Sequence, residues 1–249
     1  MLLAALLALA GCASGPSSFR NAEGETSAVA QRAILTAQSL LAEGDAEAAL
    51  EQSEAAVRAD PRSAHARIVH AAALEALGRT DEAGALYERA LALAPTSGPV
   101  LNAYGAWRCR TGQVDEALKA FSDATLDEGY RMPEQALANA ASCAADAGRT
   151  ELAEMNFRAA LGLAPANPQA LIGLSKLELR RGNPLNARAF LQRREAAGPL
   201  GASELALAIE IETATGDARA ATRYRNQLAT LATEAEAASS SSANRSPGQ

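Results

Sequence analysis

An all-α solenoid, a right-handed superhelix of about six stacked helix-turn-helix repeats, is the fold class that this 249-residue sequence predicts. Three observations predict it. Aromatic residues make up only 4% of the chain, while alanine is abundant throughout. That composition suits closely packed helices, for which alanine is the strongest former, and not a sheet core rich in β-branched and aromatic side chains. Glycines recur as Gly44, Gly78, Gly112, Gly148, Gly182 and Gly216, with spacings of 34, 34, 36, 34 and 34. Five residues after each stands an alanine: Ala49, Ala83, Ala117, Ala153, Ala187 and Ala221.

Taken in chain order, the first element is the apolar run MLLAALLALAG, residues 1–11. It is too short to span a bilayer, where about 20 residues are needed, and reads as the apolar region of a secretory signal peptide. The sequence Leu9-Ala10-Gly11-Cys12 resembles the lipobox of bacterial lipoproteins. The resemblance implies that Cys12 is acylated and becomes the first residue of the mature chain. Several acyl chains, at about 0.8 kcal/mol per buried CH₂, hold a protein stably on a membrane. Ala13 and Ser14 follow where an aspartate does not, which by similarity to the enteric sorting rule implies the outer membrane, with the rest of the chain periplasmic. The alternative is an ordinary cleaved signal with Cys12 incidental. Residues 12–29 are small and polar and are expected to form an acylated flexible tether.

From residue 30 the 34-residue period, with its glycine and alanine punctuation, is the signature of tetratricopeptide (TPR) repeats. The glycine makes the turn between helices A and B of each unit, where positive φ is cheap only for glycine. The alanine lets the two helices approach. Pro61, Pro95 and Pro165 stand seventeen residues after their glycines, and Pro199 takes the same place in the fifth unit. Proline there ends helix B and opens the next unit. The repeats are placed at 30–63, 64–97, 98–133, 134–167, 168–201 and 202–235. Repeats 2 and 4 match best, in ALGRTDEAGALYERALALAP and DAGRTELAEMNFRAALGLAP. The sixth lacks its large residue and closing proline, as a terminal cap does. Residues 236–249, with the sequence ASSSSANRSPGQ at their end, are expected to be a disordered tail.

A net charge of −6 and a pI near 5.1 argue against nucleic acid as a partner, because phosphate binding needs a basic surface. Phosphate-binding glycine loops, H-E-x-x-H and paired CxxC motifs are absent. His65 and His70, the two histidines, have no triad around them, and His70 is expected to be a satisfied, partly buried side chain. No catalytic residue, metal site or cofactor is expected. A stacked-repeat surface binds protein partners, and the chain is expected to be a monomer.

Cys109 and Cys143 fall on the A helices of repeats 3 and 4, 34 residues apart. Adjacent A helices pack side by side, so the pair reads either as a disulfide, which an even count in an oxidising compartment favours, or as two buried thiols serving as small apolar residues. In repeat 5 the basic run SKLELRRGNPLNARAFLQRRE admits two readings: a strip for an acidic segment, or a solvated face supporting helix C-termini. By repeat register Lys176 and Arg180 face the concave side, Arg181 lies in the turn, and Arg193 and Arg194 lie near the end of helix B. Lys176, Arg180 and Asn102 of repeat 3 are the candidate groove residues.

A lipobox, six TPRs, Leu101-Asn102-x-Tyr104-Gly105 at the start of repeat 3, the Tyr130-x-x-Pro133 insertion, Asn139 and the cysteine pair together resemble the PilF/PilW type IV pilus biogenesis lipoproteins. The similarity is strongest over 98–165. It implies a pilotin: a lipid-anchored outer-membrane protein on the periplasmic face that helps the pilus secretin reach that membrane and assemble. The alternative is another periplasmic TPR lipoprotein, serving outer-membrane assembly or envelope maintenance.

Overall fold

Each of the six marked glycines adopts a positive φ, between 74° and 85°. At Gly44 the reason is visible: its N–H and that of Asp45 turn back to the carbonyls of Leu41 and Leu40, closing the end of the preceding helix. Only a residue in the left-handed region can make that closure, and a Cβ there is strained.

The computed structural model describes residues 27–243, and all regular structure among them is helical. Six pairs run in chain order: α1 (Ala28–Glu43) with α2 (Ala46–Ala59), α3 (Ala64–Ala76) with α4 (Thr80–Leu93), and α5 (Gly98–Arg110) with α6 (Val114–Ala124). They continue as α7 (Pro133–Asp146) with α8 (Thr150–Leu163), α9 (Pro168–Arg180) with α10 (Pro184–Ala196), and α11 (Ala202–Thr215) with α12 (Ala218–Ala243). The signal segment 1–11, Cys12, the tether as far as residue 26 and residues 244–249 lie outside the described residues.

Helix starts are written locally. The side chains of Ser27, Asp45, Ser63 and Asn167 each accept a hydrogen bond from a backbone N–H three residues on. Such caps satisfy donors that the first helical turn leaves open. Pro133, Pro168 and Pro184 begin α7, α9 and α10, where the missing N–H costs nothing.

Within a pair, the helices meet at the alanine column. Ala49, Ala83, Ala117, Ala153 and Ala187 are completely buried, and Ala221 nearly so. Beyond the pair, each A helix also packs on the next A helix, from α1 on α3 to α9 on α11, and each B helix on the A helix that follows. Among the described residues no helix reaches past the neighbouring repeat. The core is therefore a row of small clusters, such as Phe157 with Leu174 and Leu177, and Tyr87 with Trp107.

Two features depart from the simple period. The two extra residues after repeat 3 lie in the loop after α6, which at 11 residues is shorter than α4 or α8 at 14. Asp127 accepts the N–H of Gly98 at 2.7 Å, and the Tyr130 ring is buried against Gly98, where a Cβ would lie 2.6 Å from it. The insertion thus seals the start of α5. At the other end, α12 continues to Ala243, so residues 236–243 are helical where a disordered tail was expected. Glu, Ala and Ser fill that stretch with no helix breaker before Pro247, and alanine sustains a helix without tertiary help better than any other residue.

Candidate functional site

The A helices α5, α7 and α9 carry a ladder of amide side chains along one seam. Asn139 Nδ2 donates to Asn102 Oδ1 at 3.0 Å, bridging α7 to α5. Gln135 Nε2 donates to Gln169 Oε1 at 3.0 Å, bridging α7 to α9. Gln169 Nε2 lies 3.1 Å from Asn139 Oδ1, 2.9 Å from Ser142 Oγ and 3.2 Å from the Ala138 carbonyl. All five side chains are half-buried. At the first repeat interface Gln38 and His65 make a similar contact at 3.2 Å.

The same seam carries the cysteines. Cys109 and Cys143 form a disulfide with Cα atoms 5.9 Å apart. Cys109 follows Asn102 by seven residues and Cys143 follows Asn139 by four, so bond and ladder occupy one face of α5 and α7. The disulfide holds the two helices at the spacing that the Asn102–Asn139 bond requires.

Lys176 and Arg180 continue the seam along α9. Gln169, Gly173, Lys176 and Arg180 follow one another at steps of four, three and four residues, which is one stripe of a helix. Both cations are exposed, and neither makes a hydrogen bond or ion pair among the described residues. They line two adjoining hollows. One, of about 250 Å³ toward α7, also includes Asp146, Gln169, Gly173 and Phe157. The other, of about 290 Å³ toward α11, includes Ser203, Leu207 and Glu210. Gly173 makes room for the Phe157 ring beneath the helix: a Cβ there would lie 2.1 Å from it.

The rest of the basic run in repeat 5 is engaged within the chain. Arg181 pairs with Glu154 at 2.7 Å and Glu178 at 3.2 Å. Arg194 pairs with Glu204 at 2.8 Å, Arg193 donates to the Pro165 carbonyl at 3.0 Å, and Arg188 pairs with Glu212. All but the Arg181–Glu178 pair are staples between repeats, which leaves Lys176 and Arg180 for the groove.

Glu178 shows how a buried carboxylate held within repeat 5 titrates. Hydrogen bonds from Asn186 first, then Asn183 and Arg181, hold its carboxyl below the usual carboxylate range, against the opposing effect of burial. A depressed folded value stabilises the fold above the unfolded pKa of about 4.3, and that contribution fades as pH falls through the folded value. Urea unfolding as a function of pH should therefore show an acid-side loss of stability that Glu178→Gln flattens. An unchanged acid limb in the variant would remove Glu178 from the account.

His70 departs from expectation. Its ring is half-buried, but Nδ1 has no hydrogen-bond partner. Burial pushes its pKa below the usual histidine value, so the ring stays neutral, the form for which an unbonded nitrogen costs least. Among the described residues no group of three His, Cys, Asp or Glu side chains could hold a metal, and no helix is long and apolar enough to cross a membrane.

Gln135, Gln169 and Ser142 are site residues that sequence reasoning missed. A signal was available: Gln31, His65, Gln135, Gln169 and Ser203 each stand second in their repeats, a column of polar residues that only Pro99 of repeat 3 interrupts.

Paired helices, positive-φ glycine turns and one continuous A-helix face define a class of protein-binding scaffold. The tetratricopeptide repeat family model matches residues 34–98, 109–168 and 144–202, and the chain belongs to the tetratricopeptide repeat family. Among solved structures it is similar to PilW, described as a widely conserved type IV pilus biogenesis factor. The two share 28% identity at a TM-score of 0.70, over 81% of this chain and 93% of that one. PilF of Pseudomonas aeruginosa shares the fold at 23% identity and a TM-score of 0.68, over 82% of this chain and 91% of that one. A thermophilic TPR protein of Thermus thermophilus does so at 21% identity and a TM-score of 0.61, over 75% and 98%. No curated protein sequence matches the chain. The chain is thus a TPR scaffold related to type IV pilus biogenesis factors.

Proposed function

We propose that this chain is an outer-membrane lipoprotein, held on the periplasmic face by acyl groups on Cys12, that acts as a pilotin for the type IV pilus secretin. The lipid supplies the address, and the A-helix face supplies recognition of the secretin. The observation that carries this reading is the similarity to PilW over 81% of this chain and 93% of that one. The lipobox-like Leu9-Ala10-Gly11-Cys12 supports the anchor.

The test is deletion of the gene, with immunoblots of the outer-membrane fraction for heat-resistant secretin multimers and an assay of twitching motility. Loss of multimers with monomers remaining is the expected result. Cys12→Ser should fold normally, leave the outer-membrane fraction and fail to restore multimers. Intact multimers in the deletion strain would refute the pilotin role, and outer-membrane sorting of the serine variant would refute the anchor.

A further inference from the structure

Each A helix starts at the edge of the stack where repeats join and ends at its glycine turn, and each B helix runs back, so the fold has a junction edge and a turn edge. Large apolar side chains stand exposed on the junction edge: Val29 at the start of α1, Leu93 and Leu163 as the last residues of α4 and α8, and Leu126 and Met132 in the loop between α6 and α7. Leu126 is 76% exposed and Leu163 59%. Single exposed leucines are ordinary, but these mark three consecutive junctions. Among the described residues the turn edge exposes one large apolar side chain, Leu185.

Charge divides along the same two edges. Acids open the B helices at the turn edge: Glu47, Asp81 and Glu82, Asp115 and Glu116, and Glu151. At the junctions the exposed Arg62, Arg89 and Arg131 offset Asp60, Glu128 and Glu134. A surface of anionic headgroups therefore repels the turn edge and not the junction edge. The chain also enters the fold at the junction edge, where Ser27 caps α1 and residues 12–26 lead in beside Val29. That segment spans at most about 50 Å, so an anchor at Cys12 keeps this edge within reach of the bilayer.

We propose that the junction edge of repeats 1 to 4 is a membrane-contact surface, on which Val29, Leu93, Leu126, Met132 and Leu163 enter the headgroup–acyl boundary of the phospholipid layer that holds Cys12. Side chains on such an edge partition into that boundary in proportion to the apolar area they bury. The two signals divide the work: acyl groups keep the chain at the bilayer, and the edge sets its orientation. In that pose the acidic turn edge points away from the lipid, and the A-helix face stands at the side, open to a partner. The inference rests on the proposed anchor at Cys12.

The experiment uses the mature lipoprotein in vesicles of phosphatidylethanolamine and phosphatidylglycerol. The Cys109–Cys143 bond leaves an introduced cysteine as the thiol to label. Nitrobenzoxadiazole is placed at Leu126→Cys, at Leu163→Cys or, on the turn edge, at Asp81→Cys. Brominated phospholipids should quench the labels at 126 and 163, whose emission shifts to the blue, and leave the label at 81 unquenched. A label at Leu93→Cys should also be quenched, and should lose that quenching in the triple variant Leu126→Glu, Met132→Glu and Leu163→Glu. All three residues are exposed, so the helical circular dichroism should persist. Equal quenching on the two edges, quenching on neither, or quenching at 93 that survives the triple variant would each overturn the proposal. A blue shift that needs no lipid and grows with protein concentration would overturn it in favour of a second copy on this edge. The anchor fails separately: a mass spectrum showing Cys12 without acyl groups refutes it, and vesicle binding that the triple variant then abolishes leaves the edge standing. A chain with neither acyl groups nor vesicle binding refutes both.

Discussion

Arg188→Met is expected to loosen the last repeat by about 3–5 kcal/mol, the range found when one partner of a buried ion pair is removed. Arg188 on α10 reaches across to Glu212 on α11, whose side chain is only 4% exposed. With the guanidinium gone, Glu212 keeps the Thr215 hydroxyl as a hydrogen-bonding neighbour and, among the described residues, has no cation left within ion-pair distance. The effect will be local, because stacked repeats contact only their neighbours and terminal ones fray first. Hydrogen exchange is therefore the right measurement. Amides of α11 and the start of α12 should exchange roughly 100- to 4,000-fold faster, each 1.4 kcal/mol being a factor of ten. Amides of α3 and α4 should not change. Replacing both partners, Arg188→Met with Glu212→Leu, should recover most of the loss, since an apolar pair leaves no buried charge behind. Protection of α11 unchanged in the single variant would show that the ion pair holds nothing together.

Cutting the Cys109–Cys143 bond should cost about 3–4 kcal/mol on the chain-entropy model. The bond closes a 34-residue loop that contains all of α6, the insertion and most of α7. Without it the unfolded chain regains the freedom that the loop forfeits, while the folded chain keeps every other contact. The double variant Cys109→Ala with Cys143→Ala should show this loss in urea unfolding without reductant, and the parent chain should approach it when reductant is added. A parent chain insensitive to reductant, with two titratable thiols besides Cys12, would establish the buried-thiol alternative.

The two variants probe different kinds of information in the chain. Cys109 and Cys143 could be placed side by side from the sequence, because the repeat period puts each on an A helix and consecutive A helices are neighbours, while the bond between them came from the structure. Glu212 as the partner of Arg188 could not be. Nothing in the spacing of α10 and α11 says which of several nearby arginines a glutamate will meet, and Arg181, Arg193 and Arg194 each found other partners. The candidate site divides in the same way. Lys176 and Arg180 were legible from register, while Gln135 and Gln169 matter only because their amides meet across helices.

By itself the sequence determined the repeat architecture: glycines that must take positive φ, alanines where helices touch, prolines where they end, and the class of scaffold that follows. Each of these is a local requirement repeated every 34 or 36 residues, so it can be read without knowing what lies opposite. Only the tertiary structure decided the direction of the amide ladder, the packing of Tyr130 on Gly98 and the unsatisfied ring nitrogen of His70. In each case the outcome depends on atoms distant in sequence: a carbonyl on α7, a bare Cα at the start of α5, a ring nitrogen that no hydrogen-bonding group reaches. Hydrogen bonds and close packing are set by pairs of atoms within about 3–4 Å of each other, and the sequence names the atoms without naming the pairs.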